Sequence, residues 1–325
     1  MTLQTGIWLF PEAPAPELVA LTQRAEAAGL EEIWLGDEGP AREPFTVLAA
    51  AAGVTSHIRL GVGVTNPFVR HPGLAATTML TVHELSQGRA ILGVGAGGQM
   101  SLSPFGIEPS RPVSRVRDFL SIARAVHDRS AAAGYVPPDT AIDASAAGRR
   151  MPLYVGGRGP RINQLASEVA DGAFVAGLPP FRYPEVIGWA RSIRPIDIAL
   201  YPSVAFDEAS IEHHRPEMIW ALVDAPSEAT HSRLGLDGAE LAAAAHALRN
   251  GDPEPARRLI TNDVLADLMV LGDPETVGRR LAQLVTTHQP TSIGLALLQD
   301  DIAAGIDHAA EAFRVMRQVL DETPR

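Results

Sequence analysis

Eight short apolar runs punctuate the chain, at residues 5–10, 32–36, 59–65, 90–95, 153–156, 173–176, 197–205 and 292–298. Gly, Pro or Asp bounds the runs, and stretches with helical spacing of apolar residues separate them, which predicts repeated strand–helix units around a parallel sheet. In several runs apolar residues follow one another without alternation, as in strands covered on both faces. The local pattern also suits an open, doubly wound sheet. Eight repeats favour closure, and the expected fold is an α/β chain forming one (β/α)8 TIM barrel over residues 1–325.

Helix signals sharpen this reading. Asp273-Pro274-Glu275 supplies an N-cap, an N1 proline and a first-turn acid ahead of Val277, Leu281 and Leu284. Pro16 opens a helix over 17–28 with Gly29 as its C-cap. Residues 207–271 are too long for a simple connection and predict a helical insertion between strands 7 and 8, with helices at 241–248 and 255–269. Lying before the last strand, this insertion is expected to wall or cover the mouth of a barrel site, though an ornament or a dimer contact fits the pattern as well. Residues 131–150 read as a weakly patterned loop.

Composition narrows the chemistry. There is no cysteine, and all 27 basic residues are arginine. Disulfides, thiolate metal sites, Schiff-base lysines and Walker-type phosphate loops are therefore excluded. A net charge of −11 argues against a nucleic-acid surface and for small-molecule chemistry. No apolar stretch is long enough to span a membrane, and Met1-Thr2-Leu3-Gln4 does not open a signal peptide, so a cytoplasmic protein is expected.

In a barrel, strand ends carry function, and four places stand out. In Leu60-Gly61-Val62-Gly63-Val64-Thr65-Asn66-Pro67 a glycine-rich strand runs into polar residues, which suits either a flat ring on the main chain or a barrel bulge. Gly93-Val94-Gly95-Ala96-Gly97-Gly98 satisfies GxGxxG but follows three strand–helix units and precedes prolines, so it reads as a backbone-lined wall and not a dinucleotide fingerprint. Val155-Gly156-Gly157-Arg158-Gly159-Pro160 precedes a helical pattern and is the best anion site in the sequence. Asp37 and Glu38 end the second strand and are candidates to orient a cofactor or to act as general base. His71 sits on the same rim, in reach of a substrate or simply structural. His213 and His214, with only Glu212 and Glu217 nearby in sequence, read as surface residues, and no metal is expected.

The segments Leu60 to Pro72, Gly88 to Gly97 and Pro152 to Ala176, continued by Gly235-Leu236-Asp237, Arg249-Asn250-Gly251-Asp252 and Leu271 to Thr276, resemble the luciferase-like flavin enzymes. The nearest branch is similar to the coenzyme F420-dependent methylenetetrahydromethanopterin reductases. The resemblance implies an oxidoreductase that binds coenzyme F420, or alternatively FMN as a monooxygenase using oxygen. It further implies a cis peptide at Gly63–Val64, with Thr65 and Asn66 at the ring edge and Asp37 at the ring or ribityl chain. Gly95, Ala96 and Gly97 form the facing wall, Gly156, Gly157, Arg158 and Gly159 hold the phosphate, and Ala176 and Gly177 complete the cofactor set. A homodimer is compatible with the family. Trp8, Glu38 and Gln99 stand where the reductases carry a glutamate, a histidine and a lysine. Those departures point to a flatter, less polar acceptor of imine or enone type touching Trp8, Gln99 and His71, with Glu38 as proton donor. A flavin-binding barrel without activity is the rival from another class.

Overall fold

The computed structural model describes residues 3–141, 148–223 and 227–322. Strands and helices alternate from the start: β1 (Gln4–Leu9), α1 (Ala15–Ala27), β2 (Glu32–Leu35), α2 (Pro44–Ala52), β3 (Arg59–Thr65), α3 (Pro72–Leu85), β4 (Ala90–Gly95), α4 (Gln99–Leu102), α5 (Pro112–Asp128), β5 (Leu153–Gly156), α6 (Pro160–Val169), β6 (Gly172–Ala176), α7 (Tyr183–Ala190) and β7 (Asp197–Tyr201). There follow β8 (Ser203–Ala205), α8 (Glu208–His214), α9 (Trp220–Val223), α10 (Glu228–Leu234), α11 (Gly238–Arg249), α12 (Glu254–Leu259), α13 (Asn262–Leu268), β9 (Val270–Leu271), α14 (Pro274–His288), β10 (Ser292–Leu297) and α15 (Ile302–Glu322). β1 to β7 pair in order, β10 follows β7, and β10 returns to β1, so the parallel sheet closes into a (β/α)8 barrel. Among the described residues no helix is long and apolar enough to cross a membrane.

Three expectations need correction. The run at 197–205 is two strands, because Pro202 interrupts it; β10 pairs with β7 through Ser292 and Ile293 and with β8 through Ala296 and Leu297. The helix expected at 255–269 is broken into α12 and α13, since the Thr261 side chain accepts the Val264 N–H and starts a new helix. Helix α1 begins at Ala15 and is capped by Ala28, leaving Gly29, at φ 84°, one residue beyond the cap. The loop at 131–150 falls partly on 142–147, outside the described residues.

The chain divides into two compact units. The first comprises Met1–Val175, Val186–Leu200 and Pro290–Gly294, and its interior is filled around Trp34. This ring is fully buried and packs on Phe174 and Tyr154, with ring centroids 4.7 and 5.6 Å away. Neighbouring strands make room with glycine: a Cβ at Gly61 would lie 2.5 Å from the Trp34 ring, and one at Gly172 would lie 2.4 Å from Tyr154. Below Trp34, at the N-terminal ends of the strands, the buried Glu32 carboxylate accepts from Trp34 Nε1, Ser292 Oγ and Arg59. Its charge is thus paired and hydrogen-bonded, as burial requires.

The second unit comprises Ala176–Glu185, Tyr201–Gln289 and Leu295–Arg325. The insertion has its own core, in which Met218, Ile219 and Leu222 pack with Leu241, Ala245, Ile260 and Leu265. Arg215, nearly buried, ties its helices by donating to the Ile260 carbonyl, Asn262 Oδ1 and Glu212.

Adding a methyl group against Trp34 tests this packing. Gly61→Ala is expected to destabilise the protein by about 1–3 kcal/mol, measured as a lower denaturant midpoint. Combining it with Trp34→Phe should cost less than the two single losses together; strictly additive losses would show that Trp34 is not what excludes the methyl.

Candidate active site

The C-terminal ends of β2 and β3 are locked to each other by ions. Asp37 follows β2, and its carboxylate accepts from Arg70 Nε at 2.7 Å, from Arg70 Nη2 at 3.2 Å and from Thr65 Oγ1 at 2.6 Å. The same guanidinium donates to Glu43 at 2.7 Å and lies 4.3 Å above the Phe45 ring. Glu43 in turn caps α2 by accepting from the Phe45 and Thr46 amides. Burial alone would lower the pKa of Arg70; the hydrogen bond and charge of Asp37, joined by Glu43, outweigh it and raise the value. Asp37 is therefore engaged on both oxygens, which suits a fixed acceptor better than a general base. Arg70 and Glu43 were not among the residues singled out from the sequence.

Asn66 follows directly. Its Oδ1 accepts the Phe68 and Val69 amides at 3.0 and 3.1 Å, which fixes the orientation of the amide. The residue is 1% exposed, and Nδ2 has no hydrogen-bond partner. A buried NH2 without an acceptor costs free energy and calls for a bound group.

The Gly63–Val64 peptide is cis, as the resemblance implies. The Gly63 carbonyl accepts the Trp8 indole N–H at 2.5 Å. The Trp8 ring lies against Gly36 and Gly63, where a Cβ would come within 2.9 and 3.3 Å of it. Trp8 thus spends its polar atom on the protein and offers only its partly exposed ring to a ligand. The β3–β4 register shifts between Val62, opposite Leu92, and Thr65, opposite Val94. The bulge turns Val64 over the glycines of β4 and β5: a Cβ would meet its methyl groups at 2.8 Å from Gly93, 2.7 Å from Gly95 and 2.8 Å from Gly156. Gly95 and Gly156 therefore answer to Val64, and Gly93 first to the Val62 carbonyl, 2.5 Å from a Cβ there. Gly97, at φ 77°, answers likewise to Leu102, and Gly157 to Ile162, 2.2 Å from a Cβ there.

At the end of β5, Asn163 Nδ2 donates to the Gly157 and Gly159 carbonyls at 3.0 and 2.8 Å and shapes the loop. Gly159 is the N-cap of α6, Pro160 is its first residue, and no side chain caps the helix. The positive end of the helix dipole is left beside Arg158, which is partly exposed. Ala96 is partly exposed above β4. Glu38 is half-buried, its Cγ 3.6 Å from the Cβ position of Gly36, on the side where Trp8 also packs.

His71, Ala176, Gly177 and Gln99 are the remaining expected site residues. His71 caps α3, its Nδ1 accepting the Gly73 N–H at 3.2 Å. Ala176 and Gly177, the latter at φ 64°, belong to the second unit. The Gln99 backbone opens α4, while its side chain lies outside the described residues.

A closed parallel barrel with polar and glycine-rich strand ends at its C-terminal face is the arrangement of a barrel enzyme. The chain belongs to the luciferase-like monooxygenase family, whose model matches residues 2–288. It is 28% identical over 310 residues to the 5,10-methylenetetrahydromethanopterin reductase of Methanopyrus kandleri, covering 86% of this chain and 88% of that protein. It is also 28% identical over 300 residues to the enzyme of that name from Archaeoglobus fulgidus, covering 87% and 90%. The structure of the coenzyme F420-dependent tetrahydromethanopterin reductase from Methanopyrus kandleri superposes with a TM-score of 0.78 at 26% identity, over 95% of this chain and 98% of that one. An F420-dependent secondary alcohol dehydrogenase shares the fold, with a TM-score of 0.74 at 18% identity over 98% and 100% of the two chains. The chain is an enzyme of the oxidoreductase kind.

Removing the cation is expected to loosen the strand ends. Arg70→Met leaves Asp37, whose side chain is 11% exposed, without its partner. The loss should be about 2–4 kcal/mol, against about 1 kcal/mol for Asp37→Asn, which keeps one acceptor. Equal midpoints for wild type and Arg70→Met in denaturant unfolding would mean that the pair does not hold the site together.

Proposed function

We propose that this oxidoreductase passes hydride from reduced coenzyme F420 to a small unsaturated substrate of imine or enone type. The observation that carries the reading is the buried Asn66 Nδ2 without an acceptor at the end of β3. A flat heterocycle with carbonyl oxygens at its edge supplies the missing acceptor. The resemblance to F420-dependent reductases over most of the chain supports the deazaflavin in preference to FMN.

When bound, the deazaflavin supplies the hydride. The chain supplies the rest. Asn66 would orient the ring edge through its NH2 group, while the N-terminus of α6 and Arg158 would hold the phosphate by dipole and charge. Trp8 and Val64 present apolar surface that excludes water from the reacting centre. Asp37, fixed by Arg70, keeps Thr65 in place. Glu38 would deliver the proton to the substrate nitrogen or oxygen, which together with the hydride the cofactor would supply balances a two-electron reduction.

Fluorescence titration of the purified protein with F420 and, separately, FMN tests the cofactor. Tight F420 binding is expected, weakened about 10-fold by Asn66→Asp, which keeps Oδ1 and exchanges the donor for an acceptor, and also weakened by Arg158→Ala. Preference for FMN, together with oxygen consumption by the reduced complex, would instead indicate the oxygenase; binding of neither would overturn the catalytic reading.

The proton donor has its own test. Glu38→Gln should lower kcat about 10²–10⁴-fold with F420 affinity unchanged, and unchanged turnover would remove Glu38 from that role.

A further inference from the structure

The insertion carries a cluster that the proposed reaction does not use. His213 and His214 end α8, and the chain brings Asp300, in the turn after β10, against both. His213 Nδ1 is 2.6 Å from Asp300 Oδ1, and His214 Nε2 is 3.6 Å from the same oxygen. The two imidazoles stack at 4.8 Å between centroids, with their planes 11° apart. One donor atom from each of the three residues lies within 4.8 Å of the others. All three residues belong to the second unit.

We propose that His213, His214 and Asp300 bind a divalent transition metal of the zinc class. Two imidazole nitrogens and one carboxylate oxygen are the donor set of an open, three-residue zinc site, with water in the fourth position. Donors on one tetrahedral zinc stand roughly 3.3 Å apart, given metal–ligand bonds of about 2.0–2.1 Å. The His214–Asp300 spacing of 3.6 Å is close to that value, whereas His213 and Asp300, 2.6 Å apart, stand at hydrogen-bond distance and must part to admit an ion. Side-chain rotation suffices to reach it, because the His213 side chain is 65% exposed.

The surroundings are those of a built site. His214 Nδ1 lies 3.4 Å from Glu217, so its other ring nitrogen faces a carboxylate, the arrangement that orients metal-bound histidines. Asp300 is held from behind: its N–H donates to Ser210 Oγ at 3.1 Å, and the buried Ser210 hydroxyl donates to Asp207 at 2.9 Å. Gln299 donates to the same Asp207 carboxylate and accepts the Phe206 N–H, fixing the residue before Asp300. A lone His–Asp ion pair on a surface needs none of this support. Nitrogen donors favour zinc, nickel or copper over magnesium or calcium. Bound metal would clamp α8 to the turn that follows β10.

The test uses tag-free protein, stripped of metal by chelator and dialysed. Zinc titration by calorimetry should give one saturable site, and cobalt(II) should develop the visible absorption of a four-coordinate nitrogen–oxygen complex that zinc abolishes and magnesium does not. Asp300→Asn and His214→Gln, each checked for native circular dichroism, should weaken zinc at least 100-fold. Glu217→Gln should weaken it about 10-fold, in the range seen for outer partners of ligands. Zinc should also raise the Tm of the wild type and not of Asp300→Asn. Absence of saturable zinc binding, or binding that survives both Asp300→Asn and His214→Gln, would overturn the proposal.

Discussion

The barrel is organised around one indole. Trp34 occupies the middle of the first unit's interior, where a fully buried aromatic of this size contributes about 4–6 kcal/mol by apolar burial alone. Such a ring fits only if adjacent strands give up their side chains, and Gly61 on β3 does so, with a Cβ there excluded at 2.5 Å. The Trp34 N–H then finds Glu32, whose charge is shared with Arg59 and Ser292 at the first residues of β3 and β10. Core filling, glycine placement and closure of the sheet at β10 are thus parts of a single packing solution.

The upper layer follows from the lower one. With Trp34 below, Trp8 lies across Gly36 and Gly63, and Val64 turns inward over Gly93, Gly95 and Gly156. The floor of the C-terminal mouth is therefore aromatic and aliphatic. At its rim Asp37, Thr65 and Arg70 tie two strand ends, and Asn66 keeps an unsatisfied donor. An apolar floor with few fixed polar groups is the composition of a small-molecule site.

Much of this was legible in the sequence, because parallel strands with glycine and proline boundaries leave a strong local signal. β3, β4 and β5 fall on the expected residues, and the acids and glycines at strand ends lie on the expected face. What the sequence hid is tertiary. Arg70 reaches Asp37 across 33 positions, and only the adjacency of β2 and β3 in a parallel barrel foretells that their trailing residues meet. The glycine-rich third strand offered a bulge as one reading, and its register does shift between Val62 and Thr65, but that Val64 then packs on the glycines of β4 and β5 is a tertiary contact that local sequence does not give. His213 lies at the surface as its polar surroundings suggest, but its contact with Asp300, 87 residues away, is not visible in the local sequence.

The same hidden contacts bear on how the proposed chemistry differs from that of the related reductases. Trp8 gives its single donor to the Gly63 carbonyl and has none left for a substrate. Asp37 accepts from Arg70 and Thr65 and is held in place by them. Proton delivery under the proposed reaction consequently rests on Glu38, which stands beside Trp8 at the edge of the apolar floor. Under that proposal the substrate is a flat, apolar body resting on the Trp8 indole, with a single basic atom turned toward Glu38.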